Sequence, residues 1–402
     1  MLCTRCRPLA AVPRQLLRSV EASRRLSSEG KAEDKNAVIF SGIQPTGVPH
    51  LGNYLGAMRQ WRNLQDTAGD GDKLLYSIVD WHAITMPQDA EILRQCRREM
   101  LAALLAIGLN PAKSTMFYQS SVMQHTELMW ILSCTASMGY LSRMTQWKSK
   151  LSMDNKAAQI DDITSQKLKL GLFSYPVLQA ADILVHRATH VPVGDDQRQH
   201  LEFARECVTN FNHTYETDTL ITPETITTTS PRVMSLQNPL NKMSKSAPNQ
   251  RSRILITSDS REIRQRIMGA VTDAENIVTY EPLRRPGVSN LLDLLSQCSP
   301  NRETPQQLEE MFKGASLKDL KEVVVEAVVT ELAGVRDRYE EVLAMRGGTY
   351  VDEVEAEAAE KARKSAEETM RFVRYAVGLS SSVKASKRTY FTDGGAKISF
   401  KN

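Results

Sequence analysis

Four short apolar runs, rich in β-branched and aromatic residues and closed by turn-forming residues, punctuate the first half of the chain: "NAVIFSGI" (36–43), "KLLYSIVD" (73–80), "STMFYQS" (114–120) and "ATHVPVG" (188–194). Such runs read as buried strands. The segments between them change period. "DAEILRQCRREMLAALLAIG" (89–108) repeats its apolar residues at steps of three and four, with Asp89 placed to cap a helix and Gly108 placed to stop it. "HTELMWILSCTASM" (125–138) and "DQRQHLEFARECVTNF" (196–211) carry the same spacing. Strands alternating with helices predict an α/β fold, a Rossmann-like doubly wound parallel sheet.

From about Ser258 the strand signals nearly stop. "EIRQRIMGAV", "SNLLDLLSQ", "LKDLKEVVVEAVVTELAGVRDRYEEVLAM" and "EVEAEAAEKARKSAEETMRFVRYAVGL" are all helical in spacing. "VVVEAVV" (323–329) alone could pass for a strand, but the 3.6-residue period on either side outvotes it. The pattern therefore predicts an α/β domain over 36–257, an all-helical domain over 258–379 and a loose basic tail over 380–402. A polar stretch without a clear period, 148–168, reads as a mobile insertion.

Composition changes this picture at one end only. Hydrophobic content of 41% with 24% charged residues is that of a soluble globular protein. No apolar run reaches the ~18 residues of a membrane span, so no membrane partner is expected. Residues 1–28 hold six arginines and a single acid, Glu21, which leaves the remainder near neutral at 45 basic against 46 acidic residues. An Arg-rich, Ser-containing, acid-poor start reads as an organelle transit peptide over about residues 1–30. Any nucleic-acid binding by the near-neutral body must come from a local basic patch. Cys3 and Cys6 are spaced as CxxC but lack a second pair, so no zinc or redox site is expected, and the remaining cysteines read as buried thiols of a reducing compartment.

Two stretches carry candidate chemistry. In "SGIQPTGVPHLGNYLGA" (41–57) a strand ends, glycines turn the chain and a helix begins near Gly52. Ligands of a doubly wound sheet bind outside the carboxyl ends of its strands, and a helix start offers N–H groups and a positive dipole end to phosphate. Gly52 permits close approach of a flat group, and His50 adds a donor. In "NPLNKMSKSAPN" (238–249), Lys242 and Lys245 project from a loop with no apolar stripe behind them, suited to reach a polyphosphate as point charges.

Taken together, a "PxGxxHxGN" turn and a "KMSKS" loop roughly 190 residues later resemble class I aminoacyl-tRNA synthetases, in which the two signatures flank ATP. "FSGIQPTG", "HLGNYLGA", "YPVLQAADIL", "VPVGDDQ" and "KMSKS" narrow the resemblance to tryptophanyl-tRNA synthetases, over about residues 38–379. The Arg-rich start points to their mitochondrial form, in the matrix. Tyrosyl enzymes, small nucleotidylyltransferases and non-catalytic synthetase descendants are the alternatives; the first differ in the "SGIQPTG" stretch, the others in lacking one or both signatures.

The resemblance implies ATP-dependent charging of tRNA(Trp) with L-tryptophan through an adenylate, by a homodimer, with Mg2+ carried by ATP and no dedicated metal site. It assigns ATP contacts to Gln44, Pro45, Thr46, Gly52, Asn53, Gly194, Asp195, Asp196, Val233, Lys242, Met243, Ser244, Lys245 and Ser246. Catalytic weight falls on Lys242, Lys245 and His50. Asp182, in a small apolar stretch of helix where an unpaired carboxylate is costly, is the acceptor for the indole N–H. Gln197 and Tyr175 hold the ammonium; Phe40, Gly42, Val191 and Val193 line the pocket, with His82 nearby. Gln179 stands where many bacterial members carry Met. Arg336, Arg338, Arg371 and Arg374 are the expected tRNA-facing patch on the helical part, which the resemblance assigns to the anticodon.

Overall fold

The computed structural model describes residues 36–144, 168–194, 197–227, 232–245 and 247–381, without the side chain of residue 193. The expected transit segment, the expected insertion up to residue 167, Asp195, Asp196, Ser246 and the tail beyond 381 lie outside these residues. The described residues from Ala37 onward belong to one compact unit.

Five parallel strands form the sheet: β1 (Val38–Ile43), β2 (Lys73–Ile78), β3 (Ser114–Tyr118), β4 (His190–Val193) and β5 (Glu224–Thr227), in the order β3-β2-β1-β4-β5. The first four are the sequence-predicted strands. β5, "ETIT", was missed, because four residues of which three are polar, Glu224, Thr225 and Thr227, leave no apolar run to read. The order reverses between β1 and β4, and a doubly wound sheet opens its ligand crevice at such a switch point, beyond the carboxyl ends.

The helices follow in chain order. α1 (Leu51–Asn53) runs through a wide π turn, Tyr54–Met58, into α2 (Arg59–Thr67). Then come α3 (Asp80–Ala83), α4 (Ala90–Ala106), α5 (Gln124–Ser133), α6 (Met138–Arg143), α7 (Leu170–Leu184) and α8 (Arg198–Thr214). Beyond the sheet lie α9 (Ser260–Met268), α10 (Pro286–Cys298), α11 (Pro305–Met311), α12 (Leu317–Glu331), α13 (Val335–Ala344) and α14 (Tyr350–Ala376). Asp89 caps α4 by accepting the N–H groups of Glu91 and Ile92, and Gly108 ends that segment at φ +101°. "VVVEAVV" lies inside α12, as the flanking period requires.

Side chains alternate across the strands, as a two-residue period dictates. Phe40, Leu75, Phe117 and Val191 face a core shared with α5, α7 and α8. Leu74, Tyr76, Ile78 and Met116 face the other, which runs unbroken into Ile263, Leu291, Leu320 and Val351 of the later helices. The last helix returns to the sheet. Ala358, Ala362 and Ala366 recur every four residues on α14 and enter the first core beside Met370 and Val373. Small side chains at that spacing let α14 lie close along β3 and cover the sheet's edge. Cys207 and Cys298 are buried as expected, whereas Cys134 is exposed.

Candidate functional site

The chain leaves β1 at Ile43 into a tight turn in which the Thr46 N–H meets the Gln44 carbonyl at 2.9 Å. Gly47 sits at φ +79°, a left-handed conformation that strains any other L-residue. It also has no room for one: a Cβ there would overlap the Lys245 ammonium and stand 2.8 Å from Glu99 Oε2. The lysine loop, almost 200 residues away in sequence, is therefore folded down onto the first strand-to-helix junction.

Its anchor is a single apolar side chain, which the absence of an apolar stripe had not revealed. Met243, between the two lysines, is buried in the core, and its N–H reaches the Val233 carbonyl at 3.0 Å. Lys242 bridges Met234 in an antiparallel pair, and the buried Asn290 of α10 clamps the Met234 backbone at 2.9 and 3.2 Å. Val233 lies 3.4 Å from the Cβ position of Gly52, which also abuts the His50 ring at 3.1 Å. Gln44, Pro45, Thr46, Gly52, Asn53, Val233 and the lysine loop thus converge at one place. Gly194 ends β4, across the crevice.

The start of α1 differs from the expected open phosphate cradle. His50 caps it: Nδ1 accepts the Asn53 N–H at 3.3 Å while Asn53 Oδ1 accepts the His50 N–H at 3.2 Å. The Leu51 N–H donates to Ile254 at 2.7 Å. Two of the three helix-start donors are already engaged, so anion binding here rests on side-chain cations. Burial pulls the His50 pKa down to about 4, with Lys242, Arg253 and Lys245 reinforcing the shift. The imidazole is neutral near pH 7, and since Nδ1 accepts, Nε2 carries the proton and can donate. Burial also lowers Lys245, opposed by Cys96 and Glu99, as expected of a partly desolvated ammonium. Arg253, which sequence reasoning passed over, completes the basic cluster and is held by the Ala247 carbonyl at 2.9 Å.

The second half of the site lies on α7. Tyr175, Gln179 and Asp182 share a face at steps of four and three, and His186 continues the stripe just past the helix end. Asp182 is 1% exposed. Three donors reach its carboxylate: Gln119 at 2.6 Å and His125 at 2.7 Å on Oδ1, and His82 at 2.8 Å on Oδ2. Burial would raise this pKa, but the hydrogen bonds from His125 and His82 override it and hold the group well below the usual carboxylate range. A carboxylate offers about four lone-pair positions; among the described residues one stays open, on Oδ2.

Gln119 and His125 were not anticipated from sequence. Gln119 follows β3 directly, and its Oε1 accepts the backbone N–H of Trp81 at 3.1 Å, which turns its amide NH2 toward Asp182. Asp80, at the end of β2, binds the Ser120 N–H and hydroxyl at 2.9 and 2.5 Å and so locks the two strand ends together. Around Asp182, Phe40 and Val191 are buried on the same face of the sheet, whereas Gly42 is exposed at the mouth. Tyr175 and Gln197 meet through His200: the Tyr175 hydroxyl lies 3.3 Å from Nε2, and Gln197 Oε1 lies 3.0 Å from Nδ1. Gln179 donates to the same Gln197 oxygen at 3.1 Å, so the unusual amide pairs within the stripe.

Three of the four arginines of the expected tRNA-facing patch make contacts within the chain. Arg336 pairs with Asp259 and Glu340, Arg338 binds the Ala106 carbonyl at 2.7 Å, and Arg374 grips Glu127 and Glu367. These cations are engaged in holding helices together. Trp61 is core, stacked on Tyr76 at 4.6 Å, while Trp130 is 73% exposed.

Residues 31–333 match the family described as tRNA synthetases class I (W and Y). The chain is 41% identical to the mitochondrial tryptophan–tRNA ligase of Saccharomyces cerevisiae over 88% of its own length and 94% of that protein's. It is 42% identical to the mitochondrial tryptophan–tRNA ligase of Schizosaccharomyces pombe over 85% and 95% of the two lengths. Among solved structures, the tryptophanyl-tRNA synthetase of Mycoplasma pneumoniae superposes with a TM-score of 0.74 at 30% identity, covering 86% of this chain and 99% of that one.

Proposed function

The chain belongs to the class I tRNA synthetases, in their tryptophan–tRNA ligase branch, and from that membership we propose that it joins L-tryptophan to tRNA(Trp), using ATP, through a tryptophanyl-adenylate. The tryptophan carboxylate attacks the α-phosphorus, the bond to the bridging oxygen breaks and pyrophosphate leaves. A hydroxyl of the terminal tRNA ribose then attacks the adenylate carbonyl and AMP leaves. Chemistry of this kind needs placement and charge neutralisation more than a protein nucleophile.

One observation carries the reading: Lys245 resting against Gly47 at the carboxyl end of β1. Lys242 and Lys245, with Arg253, face the phosphates and stabilise charge developing on pyrophosphate. Neutral His50 offers an Nε2–H donor. Gln44, Pro45, Thr46, Gly52, Asn53, Gly194, Asp195, Asp196, Val233, Met243, Ser244 and Ser246 complete the nucleotide site. Mg2+ enters with ATP, held by phosphate oxygens and water. The open lone pair of Asp182 takes the indole N–H; Tyr175 and Gln197 take the ammonium; Phe40, Gly42, Val191 and Val193 form the walls, and His82 orients Asp182.

The helices over 258–379 serve anticodon binding in this reading, and the site works in the mitochondrial matrix. Exposed Met123, Trp130 and Met138, at 61%, 73% and 67% exposure on or beside α5 and α6, suit an apolar contact with a second copy, and sedimentation should give a dimer mass. Amino-acid-dependent ATP–pyrophosphate exchange across the twenty amino acids is the deciding assay. Tryptophan alone is expected to drive exchange; exchange driven by tyrosine, or none, overturns the reading.

A further inference from the structure

Asp182 needs one acceptor position for an indole and a few donors to hold it still. The molecule supplies a longer chain than that. Behind His125, its Nε2 faces His186 Nε2 at 3.3 Å, and His186 Nδ1 faces the Ser365 hydroxyl at 3.2 Å. Ser365 stands on α14, 183 positions from the carboxylate it helps to hold. Both rings are enclosed: His125 is wholly buried and His186 is 3% exposed, packed between Phe40 and Phe117 with ring centroids at 5.8 and 5.7 Å.

Proton positions follow from the ends inward. An ionised carboxylate only accepts, so His125 Nδ1 carries a proton and donates to Asp182. With one proton per ring, His125 Nε2 accepts from His186 Nε2–H, and His186 Nδ1 accepts the Ser365 O–H. Burial holds His186 well below its ordinary pKa, which keeps that ring neutral. Every hydrogen bond then points the same way, from α14 to the pocket, and each polarises the next.

We infer that Ser365, His186 and His125 form a positioning relay that fixes the Asp182 carboxylate with its open lone pair toward the pocket, so that α14 sets selectivity for the indole N–H. This rests on the reading of Asp182 as the indole acceptor. The relay touches no substrate atom; it acts through the orientation of a group that does. It also gives the last helix a hold on the amino-acid pocket that packing alone would not.

The test compares tryptophan with L-3-benzothienylalanine, an isostere that puts sulfur where the indole has N–H. In pyrophosphate exchange the wild-type protein should prefer tryptophan strongly in kcat/KM, and Asp182→Asn should erase much of that preference. His186→Phe keeps the ring packing and deletes both nitrogens. It removes the neutral hydrogen bond to His125 and is expected to lower the preference by up to about tenfold, the upper value for such a bond, with the KM for ATP unchanged. Ser365→Ala, at a half-buried helix position that tolerates Ala, should lower it about threefold, the smaller loss of a neutral hydrogen bond. His125→Asn, which keeps a donor at the Nδ1 position, should retain more preference than His125→Leu. A merely structural role would depress both substrates equally and leave the ratio alone. An unchanged ratio in folded His186→Phe, or in Ser365→Ala should His186→Phe not fold, overturns the relay while the Asp182 reading stands. A wild-type protein that does not discriminate removes the Asp182 reading and the relay with it.

Discussion

The two ends of the crevice handle charge in opposite ways. At the first strand-to-helix junction, Lys242, Lys245 and Arg253 gather on loop segments with few carboxylates between them, and their field adds to burial in keeping His50 neutral. On α7, Asp182 is sealed from water and bound by three donors, two of which, Gln119 and His125, are themselves held by another group. The first arrangement suits charges that must meet a partner carrying more charge than the protein supplies. The second suits a charge that must not move, because a single remaining lone pair has to select one donor. A loop can be displaced at little cost; a buried network cannot be half undone.

Asp182→Ala puts the strongest strain on that contrast. It strands three buried donors at once, and losing one member of a buried charged network typically costs about 3–5 kcal/mol. Denaturant unfolding should report a loss of that order, and exchange should lose tryptophan saturation while the KM for ATP persists. An unchanged midpoint together with unchanged tryptophan KM and kcat would remove the distinction between the two ends.

Lys245→Ala should show the reverse profile. Removing one donor aimed at developing charge costs about 10²–10³ in rate, so exchange should fall by that factor. Stability should stay within about 0.5 kcal/mol, as for most positions away from a packed feature, and tryptophan KM should hold. Exchange within about threefold of wild type, roughly 0.7 kcal/mol, would mean that the ammonium only rests at Gly47.

The same contrast decides what could be read from sequence. The lysine loop and the Gly-rich turn are compact signatures, and charge on a loop is visible as composition. The sheet was legible because parallel strands are buried on both faces and read as apolar runs; β5 was lost because "ETIT" is not one. Asp182 could be singled out because a carboxylate in "LQAADIL" demands partners. Of its partners, His82 had been placed nearby, but Gln119 and His125 could not be, since they come from the segment after β3 and only the strand order brings them beneath α7. A polar stripe at 175, 179, 182 and 186 along an otherwise apolar helix was the available signal, and it went unused. The partners of Arg374 were hidden for a related reason: on a helix wheel it faces outward, and only the return of α14 onto α5 reveals Glu127 across from it.

His50 joins the two ends, being buried like Asp182 and shaped by cations like the loop. Its folded pKa, about 4, lies below the ordinary 6.5, so the unfolded chain takes up a proton first as pH falls. The contribution to stability is complete above pH 6.5 and is lost on descent toward pH 4, about 3 kcal/mol in all at 1.36 kcal/mol per unit. His50→Asn keeps a good capping side chain and removes the titration. The acid limb of stability against pH should therefore flatten between 6.5 and 4, with His186 still contributing in the same window. Superimposable limbs for the two proteins would place the acid sensitivity elsewhere.

The smallest expected effect separates charge committed to the fold from charge reserved for RNA. Arg374 meets Glu127 through two nitrogens, both at 2.6 Å, and Glu367 at 2.5 Å, fastening α14 to α5 at a partly exposed position. Arg374→Met keeps the aliphatic stem, so only the ion pairs are lost, about 1 kcal/mol or less and about 2 °C in Tm. A cation that neutralises a tRNA phosphate would instead leave stability alone and reduce the salt dependence of tRNA binding by about one unit of slope. Since both carboxylates already satisfy this guanidinium, the tRNA KM and its salt slope should match wild type while Tm drops. The opposite pattern would move Arg374 to the side of Lys245, and α14 would then present its charge outward to RNA rather than inward to the sheet.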